Sequence, residues 1–284
     1  MLNALLLTLA TVCISAQAVL KKSYTVKTGR RGTFVFSAVS VFFAALFFLA
    51  ISGGRLHFTW EILPYALGFA LSYGTAVMMS FLAIRIGSLS LTSLVTSYSL
   101  IIPTFYGLAF LGEEVSVLFY IGLGVLCVSL FLMHSKREGS KITLPWAVVA
   151  FLGFLGNGIC STVQAVQQKT FAGEYKSEMM IIALLTVSIV IATVSLLTER
   201  RDILPALKLG GTRAAACGII NGACNLLAML LAVRMDASIM FPVLSAGGIL
   251  LTGAVSLFVY RERLSRKQYA ALLLGTAAVV LMNL

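Results

Sequence analysis

The chain has 284 residues, 60% of them hydrophobic and only 11% charged, with a formal net charge of +11 and a mean hydropathy of +1.00. A water-soluble domain cannot hide that much apolar surface, and the short alternating segments of a transmembrane β-barrel are absent. What remains is an all-α membrane protein: apolar runs of about 18 or more residues recur along the chain, each able to cross a hydrocarbon core of roughly 30 Å as a helix.

Ten spans are read, at approximately 2–20, 33–51, 61–83, 88–111, 115–133, 144–168, 179–198, 211–233, 237–259 and 268–284. The first has no Lys or Arg before Lys21, so it lacks the basic leader of a secretory signal and reads as a mature membrane helix. The connections are short, and none can hold a catalytic domain. All five cysteines, Cys13, Cys127, Cys160, Cys217 and Cys224, fall inside spans. None forms a C-x-x-C pair or a Cys/His cluster, so they read as small apolar packing residues and no metal or cofactor is expected.

The halves of the chain repeat each other. At an offset of 147, Cys13, Gln17, Ala18, Val19 and Lys22 meet Cys160, Gln164, Ala165, Val166 and Lys169. At 149, Leu82, Ala83 and Arg85 meet Leu231, Ala232 and Arg234, and Glu113, Ser116, Tyr120, Leu123 and Met133 meet Glu262, Ser265, Tyr269, Leu272 and Met282. The expected division is 1–137 and 138–284, with five helices in each half. An odd number of helices per repeat makes the halves antiparallel in the membrane.

Charge tests that inference independently. Numbered in order, the odd connections hold Lys21, Lys22, Lys27, Arg30, Arg31, Arg85, Lys136, Arg137, Lys141, Arg200, Arg201, Lys208, Arg213, Arg261, Arg263, Arg266 and Lys267. The even ones hold only Arg55, Lys169, Lys176 and Arg234. The positive-inside rule puts the odd connections in the cytoplasm and both termini outside. The net charge thus reflects membrane orientation, and nucleic acid is not an expected partner.

Polar residues inside apolar helices are costly when they face lipid, which makes them candidates for a site. Gln17 and Gln164 lead because the repeat places them symmetrically. Ser72 and Asn221 occupy matching positions in the third and eighth spans. Asn225 follows Asn221 by one turn, with Tyr73 close by, and Asn157 precedes Gln164 by two turns on one face. Each reads either as a ligand contact or as an interhelical hydrogen bond. Arg85 and Arg234 read as anion-attracting groups or as ordinary loop charges. Glu113 and Glu262 are expected at helix ends, favouring the N-terminus of the helix that follows. Pro103 and Pro242 either bend their helices during motion or are simply tolerated there.

The segment Ile86–Ser116 has a small, polar entry, then a helix with Pro103, then Gly112-Glu113 and a Ser three residues after that Glu. Tyr120-Ile121-Gly122 opens the next helix, and the second half repeats the arrangement with Pro242, Glu262, Ser265 and Tyr269. This resembles the EamA domain of the drug/metabolite transporter superfamily, over nearly the whole chain, with Arg261 in place of the Gly before the second Glu. The resemblance implies ten helices in two EamA-like repeats and transport of small metabolites such as amino acids, nucleotides, sugars, choline or drugs. Most family members keep both termini in the cytoplasm, the reverse of the charge pattern here. The first, third and fourth helices and their second-half counterparts are implied to line the cavity, which selects Gln17, Ser72, Tyr98, Asn157, Gln164, Asn221 and Asn225 as lining residues.

No Asp, Glu, Lys or Arg lies deep inside a span. The small multidrug resistance branch carries a Glu on its first helix; here the matching region ends in Gln17. A neutral amide cannot exchange a proton or balance a bare cation in a low dielectric. Only His57 and His134 are present, both in loops, and no H-x-x-x-H, G-x-S-x-G or Walker-type motif occurs, so an enzyme is not expected. The expected function is alternating-access transport of a small neutral or zwitterionic metabolite across the cell membrane, as a multi-pass monomer or homodimer in the lipid bilayer. The alternative is a non-transporting sensor or assembly protein with the same fold.

Overall fold

The computed structural model describes residues 2–28, 31–86, 92, 95–134, 143–258 and 266–282. Glu262, Ser265, Arg30, Lys136, Arg137, Lys141, Arg261, Arg263 and residues 87–91 lie outside them, as do the side chains of Lys22, Arg85 and His134. The described elements are helical throughout: α1 (Leu2–Thr28), α2 (Thr33–Ile51), α3 (Leu63–Ile86), α4 (Ile101–Phe110), α5 (Val117–His134), α6 (Leu144–Thr170), α7 (Lys176–Thr198), α8 (Ile203–Ala232), α9 (Ala237–Phe258) and α10 (Arg266–Met282). Short 3-10 turns, Trp60–Ile62 and Tyr98–Leu100, lead into α3 and α4.

Six of these helices are long and apolar enough to cross a membrane: α1, α2, α3, α6, α7 and α8. The described apolar stretches of the other four, such as Val95–Phe110 and Ala237–Gly248, run to 10–17 residues.

Two helix ends differ from expectation. α1 continues past Lys21, because the Tyr24 hydroxyl donates to the carbonyls of Arg31 and Gly32 at 2.8 Å each and holds the last turn against the next connection. α8 starts at Ile203 rather than near 211. Pro205 lies in its first turn, where no intrahelical N–H bond is lost. Gly210 then lies inside the helix where a Cβ would stand 2.3 Å from the Tyr24 ring. The glycine marks a close helix contact, not a loop.

The helices of the first half pack chiefly on those of the second. The principal neighbours are α3 with α6 and α7, α2 with α7 and α8, α1 with α8 and α9, α4 with α6 and α9, α5 with α10, and α9 with α10. Exchanging each helix for the one five places away turns every pair but the last into a pair of the set: α3–α6 becomes α8–α1, α2–α8 becomes α7–α3, and α1–α9 becomes α6–α4. Apolar side chains fill five regions among the described residues, three of them larger. One joins α2, α3 and α7 around Phe48, Phe69 and Leu184; a second joins α5 to α9 and α10 around Phe119 and Leu126; a third joins α1 to α8 and α9 around Ala10 and Met240.

Among the described residues, the second, fourth, sixth and eighth connections lie at one end and the first and seventh at the other. The His57 N–H, in the second, donates to Glu178 Oε1 at 3.0 Å, just after the sixth. Glu113, in the fourth, reaches Lys169 at the end of α6 and the first amides of α9. At the opposite end, Glu199 in the seventh connection accepts from the amides of Phe34 and Val35 at 3.0 and 3.3 Å. Gly32, with φ of 63°, adopts a left-handed conformation that suits glycine, and a Cβ there would fall 2.4 Å from Ala206.

Candidate functional site

α8 is the hub. Its Asn221 and Asn225 stand one turn apart, and the Asn225 amide donates to the Asn221 backbone and side-chain oxygens at 2.9 and 3.0 Å. Asn221 Nδ2 in turn donates to the Tyr73 hydroxyl of α3 at 3.3 Å. From α6, Gln164 Nε2 donates to the backbone and side-chain oxygens of Asn225, both at 3.3 Å. From α1, Gln17 lies close to the Cys224 thiol, next to Asn225, and that thiol donates to the Ala10 carbonyl of α1 at 4.0 Å. Two amides half a chain apart thus approach adjacent residues of one helix.

This chain of groups is uncharged. Gln164 is buried, while Gln17, Asn221, Asn225 and Tyr73 are half-buried. Such groups can donate to and accept from a neutral or zwitterionic solute, but none can carry a proton through a transport cycle at neutral pH. Phe69 stacks on Tyr73 with ring centroids 5.5 Å apart, placing aromatic surface beside the polar groups.

The other selected residues lie elsewhere. The Ser72 hydroxyl is taken up by its own helix, donating to the Gly68 carbonyl at 2.6 Å. Its backbone lies at the tight crossing of α3 with α6, where a Cβ on Gly156 would come within 2.7 Å of the Ser72 carbonyl oxygen. Tyr98 turns toward α5 and donates to the Cys127 carbonyl at 2.8 Å. Asn157 donates to the Ser99 hydroxyl at 2.5 Å, tying α6 to the turn before α4. Tyr73 is the residue that selection passed over. Its signal was only partial: Tyr73 and Asn221 are 148 residues apart, between the repeat offsets of 147 and 149, which does not separate Tyr73 from Ser72.

A charged cluster lies five residues beyond Gln164. The Glu113 side chain, 2% exposed, pairs with Lys169, and accepts from the N–H groups of Ala237 at 3.0 Å and Ser238 at 2.9 Å. Glu113 was expected to favour the helix following it, α5. It caps α9 instead, because Gly107 leaves its carboxylate no neighbouring side chain on α4: a Cβ there would stand 2.2 Å from Oε2. Burial opposes ionisation of Glu113, but the Lys169 ammonium and the Ser238 and Ala237 amides outweigh it, and its pKa lies below the ordinary value. Glu199 differs: burial dominates the amides of Val35, Phe34 and Thr33, Asp202 adds repulsion, and its pKa is raised.

The next residues of α6 close its end. Gln167 and Gln168 are fully buried. Gln167 donates to the Glu174 carbonyl at 3.1 Å, and Gln168 donates to Gln167. A shallow, open surface pocket lies at the same end, lined by His57, Glu174, Tyr175 and Glu178 among others. Among the described residues no group of His, Cys, Asp and Glu has metal-binding geometry.

No family model matches the sequence, and no curated protein matches it. Its fold does recur: 28 chains of solved structures match. One crystal structure aligns with 98% of this chain and 95% of its own at a TM-score of 0.78 and 16% sequence identity, a likeness of fold.

Proposed function

We propose that this chain is an EamA-type transporter of the cell membrane, passing a small neutral or zwitterionic metabolite by alternating access. In this reading ten helices span the bilayer as two inverted five-helix repeats, with the odd connections in the cytoplasm. The observation that carries it is the uncharged hydrogen-bonded chain Gln164–Asn225–Asn221–Tyr73, approached by Gln17 at Cys224, set among apolar helices from both halves. Inverted-repeat transporters hold their sites at such an interface between halves. The exchange of helix neighbours, broken at α9–α10, and the placing of the even connections at one end with the first and seventh at the other support the repeat. Phe58 and Trp60, 55% and 76% exposed at the entry to α3, suit a membrane interface.

The test is flux. Purified protein in liposomes is screened with labelled neutral amino acids, sugars and nucleosides, with and without a proton gradient, and compared with Gln17→Ala and Gln164→Ala. Uptake that either change abolishes without loss of folded protein supports the amide site, and gradient independence identifies a facilitator. An absence of flux for every solute favours the non-transporting sensor.

A further inference from the structure

We infer that Glu113 and Lys169 form a gate that shuts the amide site from the membrane face where the second, fourth, sixth and eighth connections gather. This rests on the transporter reading, and it goes beyond it by naming which contacts part.

The position is the first argument. Lys169 follows Gln164 by five residues on one continuous helix, a rise of about 7.5 Å with a turn of about 140°. Between the two, α6 presents Gln167 and Gln168, both fully buried. The Glu113–Lys169 pair therefore lies between the amide chain and the end of α6, on the side of α6 that meets α4 and α9.

The second argument is what the contact joins. Glu113 follows α4, Lys169 belongs to α6, and the amides of Ala237 and Ser238 open α9, so one carboxylate holds together the ends of three helices from both halves. The other charged group in the cluster is Asp236, whose Oδ1 lies 3.9 Å from Lys169 Nζ.

The third argument is that the contact can break and re-form. An ion pair at the edge of the protein gives up its attraction but regains hydration on opening, whereas an apolar seam gains nothing from water. Lys169 is already 28% exposed. One flanking helix also carries a weak point near the latch. Pro242 lies inside α9 and cannot donate to the Ser238 carbonyl, so the capped turn is loosely tied to the rest of the helix.

The experiment uses the full chain in liposomes with Cys224 as its sole cysteine, the other four being replaced by Ala. A membrane-impermeant thiosulfonate is applied to one face at a time, and labelling rates are compared for the parent, Glu113→Gln, Lys169→Met and the double variant. Each single variant is expected to label at least about tenfold faster from the Glu113 face, the scale of a population shift when a latch contact is removed. The double variant should label no faster than either. Unchanged labelling from that face in folded variants, or equal acceleration from both faces, overturns the gate. Should the charge variants not fold, Gly107→Ala keeps both charges but crowds the carboxylate; faster labelling from the one face supports the gate and unchanged labelling overturns it. Flux of the parent is measured alongside. Gated labelling without any flux sinks the transporter reading alone, and flux with ungated labelling sinks the gate alone.

Discussion

The Gln164 amide of α6 reaches both the backbone and the side-chain oxygen of Asn225 on α8, at 3.3 Å each. Gln164 is 5% exposed, so truncating it strands a partner in a largely apolar setting. Gln164→Ala is expected to cost about 1–3 kcal/mol of stability, read as a fall in unfolding temperature in detergent. Gln17→Ala should cost less, because Gln17 is half-buried and its polar neighbour is a thiol, a weak hydrogen-bonding group.

Glycines separate by what surrounds them. A Cβ on Gly156 would lie 2.7 Å from both the Ala76 nitrogen and the Ser72 carbonyl oxygen, which are backbone atoms of α3, whereas around Gly74 nothing lies within 4 Å. Gly156→Ala must push α3 from α6 and should destabilise by about 1–3 kcal/mol. Gly74→Ala should be neutral or stabilising by about 0.5–1 kcal/mol, since alanine favours the helix. Thermal unfolding of both variants gives the comparison; equal effects would contradict the packing of α3 on α6.

The two capping glutamates should respond to pH with opposite signs. The pKa of Glu113 is lowered, so its contribution to stability is present above the ordinary value of 4.5 and lost as pH falls through the folded-state value. Glu199 has a raised pKa, so its contribution is present below 4.5 and lost as pH rises through its folded-state value. Glu113→Gln should therefore destabilise at pH 7, with the difference shrinking in acid. Glu199→Gln should remove a decline in stability as pH rises above 4.5. Unfolding temperature measured against pH for the three proteins checks both signs.

Orientation has its own test. Lys27→Cys lies in the last turn of α1, before α2, and Arg55→Cys in the connection after α2, at opposite ends of that helix. An impermeant thiol reagent on intact cells should label Arg55→Cys and spare Lys27→Cys. The reverse pattern would place both termini in the cytoplasm and leave the helix packing untouched.

Much of the architecture is legible in the sequence because length and apolarity encode a crossing helix. The ends are harder. Lys21 and Lys22 look like a loop, and so do Gly210 and Gly211, until Tyr24 is seen bonding the next connection with its hydroxyl and resting its ring on Gly210. In the candidate site, Gln164, Asn221 and Asn225 could be read from polarity and spacing. The choice between Ser72 and Tyr73 could not, because one residue turns a helix by about 100° and the repeat offset itself drifts by two. Tyr98 was chosen for its helix, but its hydroxyl is drawn to a carbonyl on α5. The cap from Glu113 to Ala237 joins residues 124 apart, and no local pattern announces such a partner.

The cross-packing of the halves also sets an order of assembly. α1 rests on α8 and α9, and α2 on α7 and α8, so the first helices to be synthesised find their principal neighbours only after α6 has emerged. Gly247 and Gly248 of α9, which receive Thr11 and Ile14 of α1, are made more than 200 residues later. Until then the early helices must wait in the bilayer as separate spans, held by lipid alone. A ribosome that stalls after α5 would thus leave α1 and α2 without their principal neighbours, a natural target for the cell's quality control.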